Sequence, residues 1–342
     1  MADPGDDYSN SSIESSSVAV AEQPGPLSET KKRLVVVTGA SGLVGTHVCA
    51  QLAGAGWKIR AIVRDARKAA HRLGHLPIEV RVADIRNADS MRSALAGAGS
   101  IVHLAAIAIE KKSETYTDTN SEATRILLDT AEAASITRLV YMSQNGSDSQ
   151  SPYAFLRSKG IAQDAVTSSR LNWTVLRPSV IFGPEDEFIN VLARLIRISP
   201  LVFPLPGGGT ARFQPVAVGD VARAVSKVIG DDSTFGKSYA LGGPTPLTLK
   251  QMTERILIAM NTSRALIGIP VSILRPLVSA AEKILPHPPV TSGLLDLLAL
   301  DNTIPHNDLK LSLGIQPTPF APEELLYLRN ITAASALKSL FG

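Results

Sequence analysis

The chain has one cysteine, Cys49, in 342 residues, so neither an intrachain disulfide nor a cysteine-built metal cluster is open to it, and no metal site is expected. Cys49 falls on the first helix suggested by the pattern and reads as a core thiol. No stretch reaches the roughly 18 uninterrupted apolar residues of a membrane span, so no segment is expected to cross a bilayer. Residues 1–30 contain no lysine or arginine. They carry six acidic residues, many serines and the break Pro24-Gly25-Pro26, with neither the apolar run of a signal peptide nor the arginines of a mitochondrial presequence. They read as a disordered acidic tail on a cytoplasmic protein, one that works in solution or peripherally at a membrane. The remaining 25 acidic residues face all 34 lysines and arginines, so residues 31–342 carry about +9. Such a body suits phosphate-bearing ligands, an anionic membrane surface or an acidic partner, and equally a plain solvated surface. Nucleic acid is not expected as a partner.

What the chain does have is 44% hydrophobic residues, enough for one large α/β unit with a smaller appendage. The most informative segment is Leu34-Val35-Val36-Val37-Thr38-Gly39-Ala40-Ser41-Gly42-Leu43-Val44-Gly45. An apolar β-branched run suits a parallel strand covered on both faces, and Gly39, Gly42 and Gly45 let backbone N–H groups approach a pyrophosphate at a helix N-terminus. A triphosphate loop would need Gly-Lys-Ser/Thr at the end of the turn, whereas Gly45 is followed by Thr46. The expected ligand is therefore a dinucleotide.

After Gly45 helix and strand signals alternate as in a doubly wound parallel sheet. Strands are expected near 33–38, 59–63, 78–82, 100–104, 138–143 and 173–177, and helices near 43–54, 66–73, 87–96, 117–134 and 153–169. No internal repeat appears. From about residue 183 the rhythm breaks into Pro- and Gly-rich loops, including Gly207-Gly208-Gly209, where a lid and insertions belong. Later helices are expected near 187–198, 217–229, 247–260 and 270–284, with strand-like pieces at 212–216, 237–241 and 265–269.

The end of the second strand discriminates between cofactors, because a carboxylate there accepts the ribose hydroxyls of NAD and a cation meets the extra phosphate of NADP. This chain places Arg64 there, followed by Asp65, Arg67 and Lys68. Arg64 and Lys68 favour NADP(H), while Asp65 keeps NAD(H) open. Asp84 and Ile85 follow the third strand and are candidates to flank the adenine. Thr38, Ser41 and Thr46 offer hydroxyls near the phosphates. His103, at the end of the fourth strand, reads as a structural histidine rather than a proton carrier.

Together these residues carry a resemblance. The motifs T-G-A-S-G-L-V-G, V-A-D-I-R at 82–86, H-L-A-A at 103–106, L-V-Y-M-S at 139–143, L-R-P-S-V-I-F-G-P at 176–184, V-G-D-V-A at 218–222 and L-G-I-Q-P-T-P at 313–319 occur in family order. The chain resembles the short-chain dehydrogenase/reductase superfamily, in its extended or atypical branch related to nucleotide-sugar epimerases and dehydratases, over about residues 33–320. The apolar later part and F-L-R-S-K make it similar to the nucleotide-binding accessory subunit of respiratory complex I and its bacterial relatives. The resemblance implies an α/β Rossmann fold over 31–182 and near 212–241, a smaller substrate or lid subdomain over 183–211 and 242–330, and a C-terminal tail at 331–342. It implies cofactor contacts from Thr38, Gly39, Ser41, Gly42, Leu43, Val44, Gly45, Leu104, Ala105, Ala106, Ser143, Lys159, Arg177, Pro178, Ser179 and Val180.

In that family a Tyr four residues before a Lys does acid–base work, since four residues advance a helix by roughly 400° and put both side chains on one face. Lys159 fits the lysine, but Phe155 stands where the tyrosine belongs, and a phenyl ring has no proton to give. Tyr153 is the substitute to consider, although six residues correspond to roughly 600° and turn it away from Lys159. The family's Ser/Thr on the preceding strand maps to Asn145, which donates a hydrogen bond but relays no proton. Phe155, Phe182, Arg212 and Phe213 occupy positions that face the substrate cleft in relatives, with the substrate itself unspecified. Leu266 to Leu285 reads as core packing, or in part as an amphipathic surface helix that meets lipid or a partner subunit. The leading expectation is an NADP(H)-binding protein with an altered catalytic centre, a redox or assembly factor. An active oxidoreductase or epimerase using Tyr153 or water, and a structural subunit of a membrane-associated complex, are the alternatives.

Overall fold

A computed structural model of the chain describes Met1 and residues 33–110, 113–285 and 288–341; apart from Met1, the acidic tail expected at 1–30 lies outside the described residues. The strands are β1 (Leu34–Thr38), β2 (Lys58–Val63), β3 (Glu79–Val82), β4 (Ala98–His103), β5 (Arg138–Met142), β6 (Asn172–Pro178), the short β7 (Ile181–Phe182), β8 (Val202–Pro206), β9 (Arg212–Phe213) and β10 (Val216–Ala217), then β11 (Lys237–Leu241), β12 (Leu247–Thr248) and β13 (Ala265–Ile269). Seven of them form one parallel sheet in the order β11-β6-β5-β4-β1-β2-β3. The fold is thus α/β, a Rossmann-type doubly wound sheet. The chain enters at β1, winds outward to β3 and returns to β4 on the other side of β1, so the winding reverses between β1 and β4. That reversal leaves a crevice at the carboxyl ends of the strands.

Helices cover both faces. α1 (Leu43–Gly54), α2 (Ala66–Leu73), α3 (Ala88–Leu95), α4 (Ala123–Ala133), α5 (Ala154–Ser168), α6 (Ile189–Ile198) and α7 (Val218–Val228) follow the strands in turn. One core layer packs Val48, Leu52, Val221 and Val225 of α1 and α7 against Val35 and Val37; the other packs Met91, Leu127 and Val166 of α3, α4 and α5 against Val36 and Ile101. The alternate residues of β1 therefore feed opposite layers, as a strand's period of two requires. A third core joins α6 and α8 (Leu249–Ala259) to Phe182, Phe213, Phe320, Leu325 and Leu328. Beyond it lie α9 (Val271–Ile284), α10 (Ser292–Leu298), α11 (Asp308–Leu311) and α12 (Ala333–Phe341).

Local chemistry explains the ends of these helices. Asp65 caps α2 through bonds from the Arg67 and Lys68 amides, Asn87 caps α3 through the Ser90 amide, and Thr248 with Gln251 forms a reciprocal capping box on α8. Two elements depart from expectation. The helix expected over 117–134 begins as a π-helical stretch, Thr117–Glu122, where Asn120 and Ser121 turn inward to bond Ile107 and Ser158. The strand expected over 212–216 breaks into β9 and β10 around Gln214-Pro215, because Pro215 has no amide to give to a ladder. Among the described residues no helix is long and apolar enough to cross a membrane.

Candidate functional site

β1 delivers the chain to the crevice already buried on both faces, and the turn that follows is shaped by its glycines. Gly39 has φ +68°, and a Cβ there would lie 2.8 Å from the Ala105 amide nitrogen. A Cβ on Gly45 would lie 2.2 Å from the Gly39 carbonyl oxygen. Only hydrogen fits at either position, so the turn presses against both the end of β4 and the first turn of α1. Gly42 stands at the N-cap of α1, and no side chain caps that helix. Its leading N–H groups are left for a ligand, in the field of the helix dipole.

A cleft of about 1050 Å³ opens over this turn. Its lining includes Gly39, Ser41 and Gly42, then Arg64, Asp65 and Lys68 at the β2–α2 junction. Asp84 and Ile85 after β3, and Leu104, Ala105 and Ala106 after β4, complete that wall. Leu43, Val44 and Gly45 form the first turn of α1 and are not part of the lining. Lys68 is exposed and makes no ion pair among the described residues, whereas Arg64 pairs with Glu114. The Asp65 carboxylate spends Oδ1 on the Arg67 and Lys68 amides at 2.8 and 3.1 Å. Asp84 is held in a fork by Arg86, with Nη2 to Oδ2 at 2.7 Å and Nε to Oδ1 at 3.1 Å, and this bonding keeps its carboxyl below the usual carboxylate range. Its carboxylate is thereby committed to Arg86 rather than left free for an adenine.

The residues that the resemblance sets on the nicotinamide side are not part of the lining and sit deeper. Lys159, on α5, is 4% exposed; its Nζ donates to the Met142 carbonyl at 2.7 Å and lies 4.7 Å from the Tyr141 ring centroid. Burial brings its pKa down to about 7. Tyr141 stacks on His103 at 5.7 Å, and His103 is held between the hydroxyls of Thr38 at 2.7 Å and Thr124 at 3.1 Å. Burial first, and the charge of Lys159 second, push His103 down to about 3, so it is a neutral structural group. Three buried polar atoms here have no partner: Tyr141 Oη, Ser143 Oγ and Arg177 Nε. Register pairs Tyr141 with Val175, so Ser143 and Arg177, each two residues on, extend the same face of the sheet. A group bound against that face would satisfy them, and the glycine cradle is a space that a Cβ would fill; the residues fit a dinucleotide.

Several residues are directed elsewhere than the resemblance implied. Thr38 is fully buried and its hydroxyl serves His103, not a phosphate. The Thr46 hydroxyl bonds back to the Gly42 and Leu43 carbonyls. Asn145 spends both amide hydrogens on Asn302 Oδ1 at 2.7 Å and the Thr303 carbonyl at 3.0 Å, so it ties down the later chain instead of facing a substrate. Ser179 donates to the Asn302 carbonyl at 2.7 Å, and its own amide bonds Leu241. Pro178 is buried with its carbonyl accepting from Asn145, and the Val180 carbonyl accepts from Val216. Phe182 is 3% exposed against Phe320, and Phe213 is 4% exposed against Phe188: both are core. Arg212 is exposed, with its amide on Asp301. Phe155 packs on Tyr116, ring centroids 5.7 Å apart, and Tyr153 is the half-buried N-cap residue of α5 with no cap bond. Burial pushes the Cys49 thiol up to about 12, leaving it inert.

Glu114, Tyr116, Asn120 and Asn302 were missed by sequence reasoning. The first three lie between β4 and α4 and the last beyond α10, outside any periodic pattern. Asn120, which clasps the Ile107 amide and carbonyl, is signalled in the sequence only as a polar residue inside an otherwise amphipathic helix.

A protein family described as NAD(P)H-binding matches residues 39–195. The chain is 29% identical over 297 residues to the NADH dehydrogenase [ubiquinone] 1 alpha subcomplex subunit 9, mitochondrial, of Arabidopsis thaliana, covering 81% of this chain and 74% of that one. It is 24% identical to the NADH-ubiquinone oxidoreductase 40 kDa subunit, mitochondrial, of Neurospora crassa, covering 86% and 78%. Among solved structures, a nucleoside-diphosphate-sugar epimerase from Staphylococcus aureus superposes with a TM-score of 0.68 at 19% identity, over 86% of this chain and 99% of that one.

Proposed function

We propose, on the premise that this chain belongs to the short-chain dehydrogenase/reductase superfamily in its atypical NAD(P)-binding branch, that it holds NADP(H) as a retained cofactor beside an altered catalytic centre. The observation that carries the reading is the rim of the cleft. Asp65 is drawn into capping α2 through Oδ1, which turns the natural acceptor for ribose hydroxyls toward its own helix, while Arg64, paired with Glu114, and the unpaired Lys68 stay on the rim as donors for a 2′-phosphate. The uncapped start of α1 and the Gly39–Gly45 cradle receive the pyrophosphate. Lys159, Ser143 and Arg177 offer donors on the nicotinamide side. When bound, the nicotinamide supplies hydride chemistry. Helix α5 itself carries no phenol on the face of Lys159, because Phe155 occupies that place against Tyr116. The cofactor is accordingly a redox or structural group more than a turnover centre.

Both mitochondrial relatives are subunits of an NADH dehydrogenase, which supports an assembly or accessory role within a membrane-associated complex. Calorimetry on the full chain tests the cofactor reading. NADPH should bind more tightly than NADH, and Arg64→Ala or Lys68→Ala should each weaken NADPH about tenfold while leaving NADH nearly unchanged. Equal affinities for the two cofactors would overturn the NADP preference, and no heat with either would overturn the whole reading.

A further inference from the structure

The cleft has two chemically different walls. Beyond the glycine turn it is also bordered by α6, whose residues Val191, Arg194, Leu195 and Ile198 recur at helical spacing and line it together with Glu187 just before the helix. From Val191 to Ile198 that wall runs roughly 10 Å. Ile107 and Ile109 from the loop after β4, and Leu285 at the end of α9, face the same space. This half is aliphatic, and nothing in a dinucleotide calls for so long an apolar wall. One cation stands within it: Arg194, half-buried, makes no ion pair or hydrogen bond among the described residues. Of the four glutamate carboxylates that line it, Glu282 is committed to the Ser292 amide at 2.9 Å and hydroxyl at 2.6 Å, Glu110 to the Tyr116 amide at 2.7 Å and Glu114 to Arg64, and Glu187 is exposed at the rim.

We propose that this half of the cleft binds a single-chain anionic amphiphile, with Val191, Leu195, Ile198 and Leu285 along its apolar chain and Arg194 at its head group. The inference rests on the dinucleotide reading only in placing the cofactor on the other wall. A second observation points the same way. α9, which ends at this wall, turns Ile273, Leu277 and Ile284 outward at 57, 66 and 78% exposure, on one face at spacings of four and seven residues. An apolar stripe on the outer side of the helix whose end borders the cleft is what a site loaded from a lipid surface needs.

The experiment uses the full chain saturated with NADPH and the fluorescent fatty acid cis-parinaric acid as probe. Binding at a 1:1 ratio is expected, with saturated fatty acids of increasing length displacing it about fourfold better per added CH₂ until the wall is covered. Arg194→Ala should weaken the probe about tenfold, and Leu195→Arg should abolish its binding, with NADPH affinity and melting temperature showing that each variant is folded. Leu277→Asp, on the outer stripe, should leave probe affinity unchanged. Competition with lysophosphatidic acid against oleate distinguishes a phosphate from a carboxylate head, and displacement by either supports the site. No probe binding to protein that binds NADPH would overturn the proposal, as would loss of binding in Leu277→Asp with none in Leu195→Arg. Probe binding without NADPH binding would leave this site standing and sink the cofactor reading alone.

Discussion

Lys159 shows how one buried residue sets a pH dependence. Its folded pKa is about 7 against an ordinary 10.5. Below pH 7 both folded and unfolded chains carry the proton and the full cost of burying the ammonium is present. Between pH 7 and about 10 the unfolded chain binds more protons than the folded one, so stability rises with pH in that window by up to about 1.4 kcal/mol per unit. Lys159→Met should flatten this rise, which urea denaturation at pH 7, 8 and 9 will show. His103 acts at the other end of the scale: with a folded pKa of about 3 against 6.5, it takes stability away as pH falls from 6.5 toward 3. Gly45 is a steric matter. Gly45→Ala puts a methyl 2.2 Å from the Gly39 oxygen and 2.7 Å from Ala40 backbone atoms, so it should cost about 1–3 kcal/mol and weaken NADPH binding by opening the turn. Unaltered affinity in that variant would show that the turn does not hold the pyrophosphate.

At the scale of elements, α2 and the Asn302 segment make opposing predictions about charge and catalysis. Asp65→Asn keeps a capping oxygen for the Arg67 and Lys68 amides while removing a negative charge beside Arg64 and Lys68. The melting temperature should barely move and NADPH affinity should rise a few fold; a selective loss of NADH binding would instead make Asp65 a ribose ligand. Asn145 links the end of β5 to the segment at 302–303, and Ser179 links β6 to the same place. Asn145→Ala should therefore cost about 1–3 kcal/mol of stability by leaving Asn302 and Thr303 oxygens unpaired, with cofactor affinity unchanged. The π-helical start before α4 has the same character, since Asn120 bonds both the amide and the carbonyl of Ile107 and so fixes the loop that borders the cleft. These polar clasps join residues from 13 to 158 positions apart, beyond the few residues over which a periodic pattern is read.

For the whole molecule, binding and folding are linked. NADPH at a hundredfold excess over its Kd should add about 2.7 kcal/mol and raise the melting temperature by about 4 °C, with NADH giving a smaller rise at equal concentration. The outer face of α9 has no buried residue, and Leu201, Val202 and Ile267 around the β8–β13 pair are exposed as well. That part of the molecule offers apolar surface to whatever it meets, beside a body that carries about +9 by sequence.

The sequence by itself determined the element order, the parallel sheet and the glycine turn, because these rest on local periodicity, on turn chemistry within a few residues, and on an apolar run long enough to be buried twice. It also placed Phe155 four residues before Lys159, the spacing on which the proposal of a cofactor held without turnover rests. Only the tertiary structure decided which polar groups remain free. Thr38, Asp65, Asp84, Asn145 and Ser179 each have the right chemistry for a ligand, and each is spent on His103, on the α2 amides, on Arg86 or on the Asn302 segment. A residue's type sets what it is able to bind, but its remaining valence depends on partners that the fold brings from elsewhere in the chain.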